Sequence, residues 1–340
     1  MRRKKRDFRF LVLAGLMVAV IFLLSSQAEA LRFVVYGDSR SDNDENPINE
    51  QIFNQINQRI IKLRPRPEFV IFAGDMARRG GTANFEKWKG LLKPITDRGI
   101  KLYIAIGNHE MYKATGEYSE ELGDLNLENQ KEFQKVFDFL PANGPDDDHK
   151  HLAYTFTSAD QDSFFAVLDT YYVDPKTGEV YYGILDKTQL TWVEEELGKS
   201  TANHKFVISH RPIYDWDGAE PNHTLRDLWQ IMDNNRVKIY FSGHNHLYSR
   251  MVIGQDIDPN YLHKVVQVID GSCGAPLSTI NLAGIPPSWH VHLNYNFSVV
   301  DINECQMKVK SYGLHFLHGQ KIPVFVLIDK FMRKNRDCLF

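Results

Sequence analysis

Five short apolar runs, each closing on a small residue followed by a polar one, punctuate this chain. They are Phe33-Val34-Val35-Tyr36-Gly37-Asp38, Phe69-Val70-Ile71-Phe72-Ala73-Gly74-Asp75, Leu102-Tyr103-Ile104-Ala105-Ile106-Gly107-Asn108-His109-Glu110, Phe206-Val207-Ile208-Ser209-His210 and Val237-Lys238-Ile239-Tyr240-Phe241-Ser242-Gly243-His244-Asn245-His246. Runs apolar on both faces predict central strands covered on both sides. Helical spacing lies between them, first at Ile48, Ile52, Phe53, Ile56, Ile60 and Leu63 and then at Phe85, Trp88, Leu91, Leu92 and Ile95, which Gly99 ends. It returns at Leu190, Val193 and Leu197, and at Leu225, Leu228, Trp229 and Met232. Strand and helix alternate through the first hundred residues, as in βαβ units. Tyr154 to Leu168 reads as a hairpin around Ser158-Ala159-Asp160-Gln161-Asp162. Val265–Ile269, Phe297–Val300 and Met307–Lys310 add strands without intervening helices. The prediction is an α/β fold of two packed mixed β-sheets flanked by helices. Gly144-Pro145-Asp146-Asp147-Asp148 is the most linker-like stretch, but strands continue beyond it, so residues 31–340 are taken as one domain.

The first thirty residues stand outside that pattern. Arg2, Arg3, Lys4, Lys5, Arg6 and Arg9 precede an apolar run from Phe10 to Leu24, and Ala28-Glu29-Ala30 fits a small-x-small cleavage site. This predicts a secretory signal peptide cut before Leu31, and an exported, periplasmic or extracellular product. The alternative is an uncleaved membrane anchor, for which the run is short against the roughly 20 residues a spanning helix needs. Without the leader the chain keeps 34 basic and 41 acidic residues, a net charge of −7. That balance gives no long-range attraction to nucleic acid, and a membrane would be met only through the leader. Cys273, Cys305 and Cys338 are too few for a disulfide scaffold and lack zinc-knuckle spacing.

In open α/β sheets the ligand crevice lies at the carboxyl ends of the strands. The five runs deliver Asp38, Asp75, Asn108, His109, His210, His244 and His246 there. These are nitrogen and oxygen donors with no thiolate, a set suited to Zn, Mn or Fe. A glycine opening a motif lets the backbone turn sharply and come close to a metal. Taken singly, a Gly-Asp after a strand is a common turn, and His290-Val291-His292 shows that an H-x-H alone proves little.

The ordered series Gly37-Asp38, Gly74-Asp75, Gly107-Asn108-His109-Glu110, Ser209-His210 and Gly243-His244-Asn245-His246 resembles that of the calcineurin-like metallophosphoesterases. Gln189-Leu190-Thr191-Trp192 and Gly271-Ser272-Cys273-Gly274-Ala275-Pro276 add smaller echoes. The resemblance implies a four-layer αββα sandwich holding two divalent or trivalent transition metal ions. Asp75 would bridge them, Asp38 and His246 would complete the first site, and Asn108, His210 and His244 the second. It implies hydrolysis of a phosphate ester on a small phosphorylated substrate, monoester or diester, by a metal-bound hydroxide. Two cations about 4 Å apart can clamp a phosphoryl group for in-line attack. His109 would sit over the leaving group, as proton donor or charge stabiliser, and Glu110 would fix its tautomer.

One residue departs from the pattern. Many family members place a metal-binding histidine where this chain has Arg40. Purple acid phosphatases, which also lack it, supply a tyrosine three residues after the second-motif aspartate, and that position here is Arg78. Arginine stays protonated and does not ligate. Two expectations follow: Arg40 contacts a substrate phosphate or holds Asp38, or it is a surface residue pointing away. The rival function is a phosphate-ligand-binding, catalytically weakened member of the same fold with an empty or weak first site. Tyr112, Tyr214 and Trp216 are candidates for stacking a base or sugar, or else loop anchors.

Overall fold

The computed structural model describes residues 31–113, 125–215, 223–280, 285, 288–303, 306–316 and 322–334. The expected leader, Trp216, Cys305 and Cys338 lie outside them. Along the chain the elements are β1 (Leu31–Tyr36), α1 (Glu50–Ile60), β2 (Phe69–Phe72), α2 (Thr82–Leu91), α3 (Lys93–Thr96), β3 (Lys101–Ile104), α4 (Asn108–Met111) and α5 (Leu127–Val136). There follow β4 (Tyr154–Thr157), β5 (Ser163–Val167), α6 (Lys187–Lys199), β6 (His204–Ile208), α7 (His223–Asn234), β7 (Ile239–Ser242), β8 (Tyr248–Ile253) and β9 (Val265–Asp270). The last strands are β10 (His290–His292), β11 (Tyr295–Asn303), β12 (Gln306–Phe316) and β13 (Pro323–Lys334).

All five apolar runs are strands, and they divide between two mixed sheets. One sheet has the order β13-β12-β11-β1-β2-β3, the other β10-β8-β9-β7-β6-β5-β4. In the first, β1, β2 and β3 are parallel and β11 to β13 antiparallel. In the second, β5, β6, β7 and β9 are parallel. The expected hairpin is β4–β5, with Tyr154 opposite Val167.

Aromatic rings fill the seam between the sheets. Phe33 on β1 meets Phe165 and Phe206 of the other sheet edge-on at 5.2 and 5.4 Å, and Phe69 meets Phe165 at 5.3 Å. Edge-to-face packing of this kind suits the ring quadrupoles. Helices cover both outer faces. Phe53 of α1 stacks on Trp88 of α2, and both pack on Phe72 of β2. On the other side Val193 and Leu197 of α6, and Leu228, Trp229 and Met232 of α7, form a separate buried cluster with Val207 and Tyr240. The layers are therefore αββα.

Two elements differ from the sequence pattern. The helix expected through Ile95 breaks at Leu92, because Pro94 near the start of α3 has no amide hydrogen to continue the ladder. The Gly144–Asp148 stretch is not a linker: Asp146 accepts from the amides of Asp148 and His149 and holds the His149 ring.

Candidate metal centre

The carboxyl ends of β1, β2, β6 and β7 and the start of α4 meet at one point on the seam. Three of the predicted ligands turn there through left-handed backbone: Asp38 at φ 61°, Asp75 at 59° and His244 at 69°. Non-glycine residues adopt this region rarely, and it clusters at functional sites. Gly74 before Asp75 has φ 86°, and a Cβ there would lie 2.6 Å from His210 Nδ1. Only glycine lets these backbones come so close.

Two histidines are aimed by the backbone. His210 Nδ1–H donates to the Ala73 carbonyl at 2.6 Å, and His246 Nδ1–H to the Pro276 carbonyl at 2.9 Å. Each leaves Nε2 as the donor atom facing inward, the arrangement typical of metal-binding imidazoles. His210 Nε2 lies 3.2 Å from Asp75 Oδ1 and 3.1 Å from Asn108 Oδ1, and His244 Nδ1 lies 3.2 Å from Asn108 Oδ1. These separations match the edge of a tetrahedron with metal–ligand bonds of about 2.0–2.1 Å. These three edges suit a transition metal ion once Arg211 releases His244 Nε2, since a neutral His244 that accepts there carries its proton on Nδ1.

The first site is contested. Asp38, Asp75 and His246 can each offer an atom such that all lie within 4.8 Å of one another. Arg40 reaches into the same space: Nη2 is 3.4 Å from His246 Nε2 and Nε is 3.7 Å from Asp75 Oδ2. Asp42 accepts from Nη1 at 2.5 Å and anchors the guanidinium. Arg40 is 8% exposed, so it does not point away at the surface. Donors adequate for a cation thus share their space with a fixed positive charge.

Electrostatics mark the same centre. Burial and the neighbouring Asp75 charge raise Asp38 well above the usual carboxylate range, against the pull of His210. For Asp75 burial works upward too, but His210 and His109 outweigh it and hold the carboxyl well below that range. Two buried carboxylates pushed apart in this way are a site that a cation would stabilise. Burial and then Arg40 lower His246 to about 4, and burial, Arg211 and His210 lower His244 well below the ordinary value, so both imidazoles are neutral. Burial would lower His210, but Asp75 raises it to about 9.

His109 and Glu110 part company. His109 is buried with Nδ1–H donating to the Arg78 carbonyl at 2.7 Å and Nε2 turned to Asp75 Oδ2 at 3.8 Å. The Arg78 carbonyl, not Glu110, fixes its tautomer. Glu110 instead accepts from the amides of Asp75, Met76 and Gly107 at 2.7, 2.7 and 2.8 Å. It shapes the Asp75 turn rather than assisting His109, which corrects its expected catalytic role. Consecutive helix residues point about 100° apart, so neighbours in α4 need not act on one another. Glu110→Gln would set an NH2 group against at least one of these amides. It is expected to destabilise the fold by about 1–3 kcal/mol, read from urea unfolding.

Other side chains at the site escaped the sequence pattern. Arg211 Nη1 donates to His244 Nε2 at 2.5 Å, and Tyr171 OH lies 3.4 Å from His244 Nδ1. Asn108 Nδ2 donates to Tyr112 OH at 3.0 Å, which in turn meets Tyr182 OH at 2.8 Å. Arg78 and Arg79 stand at the rim, paired with Asp44 at 3.0 and 2.8 Å. Tyr112 and Tyr214 are buried anchors, the latter bonded to Tyr261 OH at 2.9 Å, not stacking platforms.

Tyr171 is positioned from a distance. Gln189 accepts from the Asp169 amide at 3.0 Å and donates to its carbonyl at 2.9 Å, while Asp186 caps α6 and binds His149 Nε2 at 3.1 Å. His149 Nδ1 binds Asp146 at 2.7 Å. Both ring nitrogens can donate only in the imidazolium form. Burial lowers the His149 pKa, but Asp186 and Asp146 raise it above the ordinary value, while Asp186 and Asp146 themselves are lowered. The histidine's contribution is full below its unfolded value of about 6.5 and is lost as pH rises through the raised one. The carboxylates contribute above about 3.9 and lose it as pH falls through their depressed values. The melting temperature is expected to fall from pH 6.5 upward, and His149→Gln to flatten that slope in differential scanning fluorimetry.

Comparison with known proteins adds to this geometry. A family model for calcineurin-like phosphoesterases matches residues 31–248. A probable glycerophosphodiester phosphodiesterase of Arcobacter nitrofigilis is 24% identical over 165 residues, 48% of this chain and 49% of that protein. A cAMP/cGMP dual specificity phosphodiesterase of Mycobacterium tuberculosis is 23% identical over 202 residues, 58% of this chain and 52% of that one. The chain thus spans about half the length of these curated relatives. Among solved structures, a purple acid phosphatase from yellow lupin seeds superposes with a TM-score of 0.64 at 19% identity, over 90% of this chain and 54% of its own. The structure of PhoD gives 0.63 at 12% identity, over 90% and 70%. Both likenesses concern the fold.

Proposed function

The chain belongs to the calcineurin-like phosphoesterase family, and from that premise we propose that it is an exported phosphoric ester hydrolase acting through two transition metal ions on a small phosphate diester. The observation that carries the reading is the convergence of Asp38, Asp75, Asn108, His210, His244 and His246 at one point on the seam, with His109 beside them. Diesters are ranked before monoesters because both curated relatives are named as phosphodiesterases. When bound, metal ions would supply Lewis-acid polarisation of a phosphoryl oxygen and a nucleophile at neutral pH.

The chain's own residues would do the rest. Asp75 supplies the negative charge shared by both halves of the site. Asn108, His210 and His244 would hold the second cation, and Asp38 and His246 the first. Arg40 and Arg211, at the His246 and His244 edges, offer N–H donors to non-bridging phosphate oxygens. His109, with Nδ1–H tied to Arg78, presents Nε2 toward the centre, where as the imidazolium it would give the Nε2 proton to a leaving oxygen and return to the neutral Nδ1–H form.

The test assays the full chain with Mn, Zn, Fe or Co against matched aryl phosphate mono- and diesters. Diester turnover that a chelator abolishes is expected. No turnover of either ester under any of these metals would overturn the enzyme reading. The Arg40–His246 contact favours a second reading, in which a weak first site leaves a phosphate binder. Tight binding of phosphate without turnover would be its result. Export is tested by cell fractionation with N-terminal sequencing, and a mature end at Leu31 is expected. No helix among the described residues is long and apolar enough to cross a membrane.

A further inference from the structure

The far end of the sandwich carries a polar cavity. It measures 710 Å³ and is walled by the starts of β6 and β7, the turn before β9 and the end of β13. Lys205, Arg236, Lys238, Lys264, Arg333 and Lys334 line it, with His204 and His263 and, among the described residues, no acidic one. Lys205 stands five residues before His210 on the same strand run, so the cavity lies about 16 Å from the metal centre along the strand direction. We propose that this cavity binds a phosphate-bearing anion.

Six cations in one cavity run against the composition of the chain, which is −7 over residues 31–340. Two of them are held in place through backbone carbonyls: Lys205 Nζ donates to Leu197 O and Arg333 Nη1 to Lys264 O, each at 2.6 Å. Holding them in shape costs stability through like-charge repulsion, which a bound anion removes. Burial and then Arg236 lower the Lys205 pKa, and burial and Arg250 lower Arg333 to about 10. Two carboxylates stand behind the lining histidines, Asp233 3.6 Å from His263 Nδ1 and Asp162 beside His204, and do not line the cavity themselves. Asp233 accepts from the Leu262 and His263 amides at 2.7 Å each, and Asp162 lies 3.9 Å from His204. The volume suits a phosphorylated small molecule or a lipid headgroup, and arginine forks match phosphate oxygens.

Placement bears on the source of the phosphate. Leu31 pairs with Ile302, Ile302 with Met307 and Met307 with Arg333. Arg333 therefore sits in the same row as Leu31, three strands or about 14 Å away. The basic and apolar segment before Leu31 joins the fold at the end that holds this cavity. A leader retained in a membrane would hold the cavity near lipid phosphates, whereas free phosphates could enter it in solution.

The experiment compares the full chain with Lys205→Gln/Lys264→Gln. Arg236→Asn, which tolerates the φ of 57° at that position, is a second variant should the first fail to fold. One arm titrates pyrophosphate into metal-stripped protein, with sulfate at matched ionic strength as control. The other measures flotation with phosphatidylglycerol vesicles against phosphatidylcholine vesicles, where the leader contributes equally to wild type and variant. Expected is a tenfold or greater weakening in the variant, in either arm, with phosphoesterase activity unchanged. Loss in the vesicle arm alone assigns the site to lipid headgroups, and loss in the pyrophosphate arm assigns it to soluble phosphates. No binding in either arm, or equal binding by the variants, would overturn the proposal.

Discussion

Asp75→Asn is expected to fold normally and to lower kcat/KM for an aryl phosphate diester by about 10³-fold or more, some 4 kcal/mol of barrier. Asp75 faces both halves of the centre. Oδ1 lies 3.2 Å from His210 Nε2 and accepts from the His109 amide at 3.1 Å, while Oδ2 lies 3.8 Å from His109 Nε2 and 3.7 Å from Arg40. Asparagine keeps the left-handed turn that φ 59° demands, along with one carbonyl oxygen. What it removes is the charge on which every nearby cation depends. Elemental analysis should therefore show metal lost in parallel with activity, at a melting temperature close to that of metal-stripped wild type. A variant that keeps its metal and turns over normally would remove Asp75 from the centre of the reading.

The second large effect is expected at Arg40, where two jobs can be separated. Arg40→Ala is expected to lower kcat/KM by about 10- to 100-fold, the value of a charge-assisted hydrogen bond to a phosphate oxygen. The same change removes the positive charge 3.4 Å from His246 Nε2, so metal affinity at the first site should rise. Arg40→His goes further, adding a neutral donor and raising bound metal toward two ions per chain while still losing the phosphate contact. Metal content and kcat/KM therefore move in opposite directions. Unchanged values of both in both variants would make Arg40 a bystander.

The apolar runs made the strands legible because strands covered on both faces leave an uninterrupted signal: β1, β2, β6 and β7 are central as expected, whereas β3, read the same way, is the edge strand of its sheet. The polar residues after them were legible for the same reason: parallel strands deliver their ends to one edge. Contacts made between the loops after neighbouring strands left no such trace. Arg211 follows His210 directly, yet its partner is His244, thirty-three residues away. Glu110 follows His109 but turns to Asp75 and Met76. Helix α5 was hidden because Gln130, which bonds both backbone groups of Val173, occupies its buried face and breaks the apolar period. Tyr171 comes from a loop that a buried glutamine and a histidine–aspartate link hold in place. Such three-body arrangements have no spacing to read.

The centre is split between the two sheets. Asp38, Asp75 and Asn108 follow strands of one sheet, and His210, His244 and His246 follow strands of the other. Neither half is a chelator by itself. Cation affinity and the mating of the sheets are therefore a single thermodynamic quantity, since an ion that binds only the assembled form stabilises it by RT ln(1 + [L]/Kd), about 2.7 kcal/mol at a hundredfold excess over Kd. Free metal in the surrounding compartment would then set how long the protein persists as well as how fast it works.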